Sequence, residues 1–257
     1  GEDWLHQGEF LTVYLTALSR LSPLWLDIRH NRATLCAGLP GAQILALPPL
    51  TPSAILFLTL ALAALTFDGL METFFWLALI GENPLEFTGR SAVQTVNTLG
   101  LLATWALTTA TILGALALGR RLARHTTPFL AEAGPAMLAF LAIAAGYHAA
   151  HYLVTLLTSG QYTLAALNDP FFRGDALLGL QPFFVGMGFL TDRTTMTAIW
   201  NSQFVLILGA HLLALILALH LSRRSGESRA LAHLPMTLLM IGYTTLGLWL
   251  LAAPRGA

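Results

Sequence analysis

An all-α, polytopic membrane helix bundle is predicted by three features of this chain. Hydrophobic residues make up 56% of the 257 and charged residues only 10%, against roughly 25% charged in soluble domains, and mean hydropathy is +0.68. The apolar residues gather into five long runs, near 53–80, 92–118, 129–158, 194–222 and 232–252. Each exceeds the ~20 residues that a helix needs to cross the hydrocarbon core. Finally, arginine-rich connecting segments alternate with balanced or acidic ones along the chain, which contains no lysine.

Residues 1–52 read as a membrane-surface region and 53–257 as the transmembrane bundle. In the stretch 4–21, Leu11, Tyr14, Leu15, Leu18 and Leu21 share one helical face, with His6, Gln7, Glu9 and Arg20 largely elsewhere. That pattern predicts an amphipathic helix in the membrane interface. Ser22–Thr51 carries Pro23, Pro40, Gly41, Pro48 and Pro49 together with Asp27, Arg29 and Arg32, and so predicts an irregular surface loop with room for a short hairpin around His30 and Asn31. The long loop Ser159–Arg193 is rich in aromatics but punctuated by Pro170, Gly174, Gly179, Pro182, Gly186 and Gly188. Interfacial or re-entrant pieces folding back over the bundle are expected there. The chain starts at Gly1 with acidic Glu2, Asp3 and Glu9 in place of a basic n-region, which is no signal peptide. It reads as a start inside a longer protein.

One set of segments holds Arg20, Arg29 and Arg32, then Arg120, Arg121 and Arg124, then Arg223, Arg224 and Arg229; the alternate set holds Glu82, Glu86 and Arg90, then Asp169, Arg173, Asp175, Asp192 and Arg193. The positive-inside rule puts the first set, and the N-terminus of this chain, on the cytoplasmic side of a bacterial inner membrane. The lipid bilayer is then the obligatory partner. Zero net charge and the lack of a basic face exclude nucleic acid as a partner. Cys36, the sole cysteine, excludes an internal disulfide and a thiolate metal cluster.

The chemistry centres on Ala139–Thr158, where His148, His151, Tyr152 and Thr155 fall at i, i+3, i+4 and i+7. Such a polar stripe turns toward a bundle interior, because ionisable groups in lipid are costly. Asp68 and Glu72 share a face in the first run, one turn apart. Gln94 and Asn97 in the second run, and Trp200, Asn201 and Gln203 in the fourth, lie at a similar predicted depth. Two readings follow. In one, His148, His151 and a carboxylate, Asp68 first, hold a divalent metal such as zinc, with Asp68 or Glu72 as catalytic base. In the other, the imidazoles are neutral and hydrogen-bond across helices to Asp68, Asn97 or backbone, and Asp68 with Glu72 forms a buried pair able to relay protons.

His211, mid-helix in the fourth run, is a third ligand, a haem ligand or a packing residue. Packing is favoured by its offset of about 10 Å from His148 along the membrane normal. His125 and His233 in predicted loops, and His220 near a helix end, are expected to be solvated. Asp169 and Asp175 flank Arg173 in DPFFRGD, which predicts a turn held by a local salt bridge. No G-x-S-x-G, H-E-x-x-H, C-x-x-C-H or P-loop motif occurs.

Several stretches resemble a family of bacterial integral membrane proteins labelled fenitrothion hydrolase: GEDWLHQGEFLTVYLTALSRLSPL at 1–24, the ALPPL-to-TFDGL stretch ending at Leu70, NDPFFRGDALLG at 168–179, GAHLLALILALH ending at His220, and GYTTLGLWLL near the end. In that family the first of these follows several earlier membrane helices. The resemblance implies hydrolysis of an organophosphate triester and assigns no catalytic residue. The competing class is a non-hydrolytic membrane subunit that binds haem, copper or quinone, or relays protons, alongside other membrane subunits.

Overall fold

A computed structural model describes residues 4–5, 8–29, 32–83, 85, 91–181, 184–224 and 230–254. The expectations for His6, Gln7, His30, Asn31, Glu86, Arg90, Pro182 and Arg229 fall outside the described residues. Five helices are long and apolar enough to cross a membrane: Pro52–Met71, Gln94–Ala123, Phe129–His151, Arg193–Arg223 and Leu231–Ala252. The fold is an all-α bundle with one small two-stranded sheet.

Helix α1 (Phe10–Ser19) starts where the Glu9 carboxylate accepts the Leu11 and Thr12 N–H groups, at 3.0 and 2.6 Å. The Thr12 hydroxyl, and after it these backbone bonds, hold the Glu9 carboxyl below its ordinary range. The amphipathic helix expected in this stretch lies against the bundle, with Ala17, Leu18 and Leu21 packed on the core. Strands β1 (Leu24–Arg29) and β2 (Arg32–Ala37) then pair antiparallel, Arg29 opposite Arg32.

The first spanning helix, α2 (Pro52–Met71), starts with Pro52 in its first turn and the Thr51 hydroxyl accepting from Ala54 N–H. It stops at Glu72. Buried Thr73 then donates its hydroxyl to the Leu70 carbonyl and accepts from Trp76 N–H, opening a short helix α3 (Phe74–Leu79). The run predicted as one span over 53–80 is therefore two helices. Helix α4 (Gln94–Ala123) follows, ending at Arg124 in the left-handed conformation.

The third run forms α5 (Phe129–Leu138) and α6 (Phe140–His151), joined through the single irregular residue Ala139. At Tyr152 the chain turns and a separate helix α7 runs from Leu153 to Asn168. Thr155 is therefore outside the polar stripe, and the first ten residues of the predicted loop are helical. The rest of that loop is tied to α7 by Gln161, which bonds both backbone groups of Gly186, and by Asn168, which accepts from Leu178 and Leu180 and donates to the Leu180 carbonyl. Asp169 fixes its turn by accepting the Arg173 and Gly174 N–H groups, both at 2.8 Å, while the Arg173 guanidinium lies over the Phe171 ring. This corrects the expected salt bridge: the carboxylate pairs with backbone. Helices α8 (Arg193–Arg224) and α9 (Ala230–Ala252) complete the bundle. Asp192 accepts from the Thr195 N–H and hydroxyl just before α8, which lowers its carboxyl pKa.

Helix α6 packs chiefly on α8, and α4 packs on both α2 and α9; α2 bridges the two groups, while α8 and α9 touch only sparsely. Small residues allow the tight contacts. A methyl group on Gly146 of α6 would collide with Ala210 of α8, and one on Gly247 of α9 with the Tyr147 hydroxyl. Leu62, Met137, Leu138 and Ile143 lie at the centre of the core.

Gly146→Val is predicted to force α6 away from α8 at an overpacking cost of about 1–3 kcal/mol. Thermal unfolding of the detergent-purified protein should show a midpoint lowered by several degrees; an unchanged midpoint would contradict the close helix contact.

Candidate functional site

Two helices that run in the same direction end side by side at one face of the bundle. Asp68 lies in the last turn of α2 and His151 is the last residue of α6. A helix C-terminus repels a carboxylate and favours an imidazolium, so Asp68 at that position calls for a cationic or hydrogen-bonding partner. It has one: His151 Nε2 stands 2.6 Å from Asp68 Oδ2. The side chains are 18% and 35% exposed for His151 and Asp68 respectively, so the pair sits at the rim of the apolar zone, reachable from outside it. With Asp68 ionised, the proton of the bond sits on Nε2, and His151 Nδ1 is left as a lone pair with no hydrogen-bond partner among the described residues.

His148 is one turn earlier on the same face. Its Nδ1 is 3.5 Å from the Tyr14 hydroxyl of α1, and its ring packs on Tyr152 at 4.8 Å, as does that of His151. Burial, and then the neighbouring Tyr152, push the Tyr14 phenol up to about 12; Tyr14 is therefore a neutral donor at neutral pH. Beneath the pair, buried Gln203 of α8 donates to the Ala150 carbonyl at 2.9 Å. A cavity of about 30 Å³ lies there, lined by His151, Gln203 and Tyr147 among others.

The predicted convergence is thus partly realised. Asp68, His151 and Gln203 come together. Glu72 is the C-cap of α2, one turn beyond Asp68, and is exposed. Asn97 accepts from Trp76 Nε1 at 2.9 Å, and Gln94, Trp200 and Asn201 are exposed. Among the described residues no three His, Cys, Asp or Glu side chains group in a way that could hold a metal ion. Of the expected set, His151 and Asp68 face each other at 2.6 Å, and His148 Nδ1 lies 3.5 Å from the Tyr14 hydroxyl. His211 lies beside Tyr147 and makes no contact with the pair among the described residues. Its Nδ1–H donates to the Ile207 carbonyl at 2.8 Å, its Nε2 is buried without a hydrogen-bond partner among the described residues, and its ring stands 6.3 Å from both Tyr147 and Tyr243.

At the opposite end of the bundle is a feature that the sequence pattern did not single out. A cleft of about 450 Å³ opens where α8 and α9 part, and its polar wall includes Arg120, His125, Glu132, His211, Ser222 and His233. Glu132 Oε2 lies 3.0 Å from Arg120 Nε, an ion pair by distance though off-axis for a hydrogen bond, and 3.2 Å from His125 Nδ1. His233 Nε2 meets the Ser222 hydroxyl at 3.1 Å. His125 and His233 are therefore half-buried and partnered, which corrects the solvated placement; His220 is exposed, bonded only to its own helix at Ile216. The available signal was Glu132, a carboxylate within an apolar run that requires a cation. No family profile, curated protein or solved structure matches the chain.

A double-mutant cycle of Asp68→Ala and His151→Ala is predicted to give a coupling of about 1 kcal/mol in unfolding of the solubilised protein. A coupling of zero would mean that the two side chains do not meet.

Proposed function

We propose that this membrane protein transfers protons, and that the Asp68–His151 pair is its proton-accepting centre. The observation that carries the reading is the 2.6 Å contact between a carboxylate and an imidazole from two different helices; with Asp68 ionised, Nε2 donates and Nδ1 is the base. The bond orients the ring, and the carboxylate stabilises the imidazolium formed when Nδ1 takes a proton. Proton uptake then converts a neutral imidazole beside an anion into an ion pair, and release restores the starting state. If the arginine distribution orients the chain by the positive-inside rule, the pair faces the outside of a bacterial inner membrane. A role as the proton-handling subunit of a larger redox or transport assembly fits this chemistry.

The second reading is hydrolysis of apolar esters, which the family resemblance implies. The same oriented base supports it, since Nδ1 of His151 is placed to take a proton from a water attacking an ester dissolved in the adjoining leaflet. A metal-assisted version requires His148, His151 and Asp68 to turn from these partners toward one ion.

Purified protein in phosphatidylcholine and phosphatidylglycerol liposomes with trapped pyranine, energised by a potassium gradient and valinomycin, should show proton flux. Asp68→Asn and His151→Gln are expected to lower it ~100-fold, the scale of a lost positioned proton acceptor. Variant flux equal to that of the unaltered protein would refute the reading. Release of the phenol from an aryl dialkyl phosphate, abolished by the same two substitutions, would establish hydrolysis in its place.

A further inference from the structure

We infer that protons leaving the Asp68–His151 pair cross the whole bundle through Tyr147 and His211 to the cleft at the far end; this rests on the proton-transfer reading. Three observations place the path. First, the cavity of about 30 Å³ beneath His151 is bounded by three polar side chains, His151, Gln203 and Tyr147. It has room for a water, which needs roughly 10–15 Å³ and two to four polar partners. Gln203 gives its amide nitrogen to the Ala150 carbonyl, so its oxygen is available to such a water.

Second, Tyr147 separates that cavity from His211. Its hydroxyl lies 3.4 Å from the Tyr243 carbonyl, and its ring meets His211 edge-on at 6.3 Å. The tautomer of His211 is set by donation from Nδ1 to Ile207, because a carbonyl can only accept. Its unpartnered, buried Nε2 is therefore a lone pair at mid-bundle. A bare imidazole acceptor in an apolar interior is costly unless something donates to it, and the hydroxyl of neighbouring Tyr147 can accept a proton on one side and deliver one on the other when it rotates.

Third, His211 is also a wall of the large cleft, which continues past Thr244 and Thr237 to His233, Ser222 and the Glu132–His125–Arg120 cluster. From His151 to Glu132 the third span covers about 28 Å at 1.5 Å per residue, close to the ~30 Å hydrocarbon thickness. Polar groups and cavities thus extend from one end of the bundle to the other, narrowing only at the contact between Tyr147 and His211.

The transfer conserves protons at every step. The His151 imidazolium gives its Nδ1 proton to the water, the water passes one of its protons to the Tyr147 oxygen, and the original Tyr147 proton moves to His211 Nε2. Rotation of the His211 ring releases that proton to the cleft, where His233 and the Glu132 cluster receive it. No electron moves and no group is left changed.

The same liposome flux measurement tests the route. Tyr147→Phe removes only the hydroxyl, and His211→Phe keeps an aromatic ring between Tyr147 and Tyr243 while deleting the acceptor. Each should reduce flux by about tenfold or more, as expected for loss of a positioned proton carrier, whereas His220→Phe on the exposed side of α8 should leave it unchanged. If both route variants carry normal flux while Asp68→Asn does not, the inferred route is wrong and the proton-transfer reading stands. If Asp68→Asn also carries normal flux, the reading itself fails. Gel filtration of each variant separates loss of flux from loss of fold.

Discussion

Asp68 and His151 each occupy the last turn of a helix embedded in apolar sequence, where the backbone presents its negative end. For His151 that environment is favourable; for Asp68 it is hostile, and a donor beside it is needed to offset the like-signed helix end. The hydrogen bond between them resolves both demands at once, and it fixes where α2 ends relative to α6. The neighbouring arrangements are built around it: Thr73 ends the first span just beyond Asp68, and the chain turns at Tyr152 directly after His151, packing that ring on both histidines.

The packing of the helices determines where polar groups can be reached. Glycine and alanine let α6 and α8 approach closely, and Gly247 gives up its side-chain volume to the Tyr147 hydroxyl. Helices α8 and α9 have sparse mutual contact, and the space between them is the cleft. Close contact on one side of α8 and separation on the other therefore come from one distribution of small residues. His211 sits at the boundary, packed between two tyrosines yet part of the cleft wall.

Proton transfer asks less of the pair than metal binding does. A metal requires three or more ligand atoms aimed at one point with their own partners removed. Here the facing atoms of Asp68 and His151 are already engaged with each other, and His148 is oriented toward Tyr14, whose phenol stays protonated far above neutral pH. Proton transfer uses these bonds as they stand.

The sequence alone determined the architecture. Five apolar runs of sufficient length, separated by polar segments, permit no other backbone arrangement in lipid, because each N–H and C=O must bond within its own helix. It also marked His148, His151, Asp68 and Gln203 as residues needing partners. It did not determine which of them meet. Glu72 has the same spacing pattern as Asp68 yet is exposed, because Thr73 stops the helix through a side-chain cap that hydrophobic periodicity does not register. The same blindness to local breaks joined α6 to α7 across Tyr152. His125, Glu132 and His233 belong to one cleft only because the loop after α4 leads into α5 and α9 packs along α4. Burial and hydrogen-bond need are properties of a residue and its neighbours in the chain; partner choice depends on distances between helices, and those exist only after the bundle has packed.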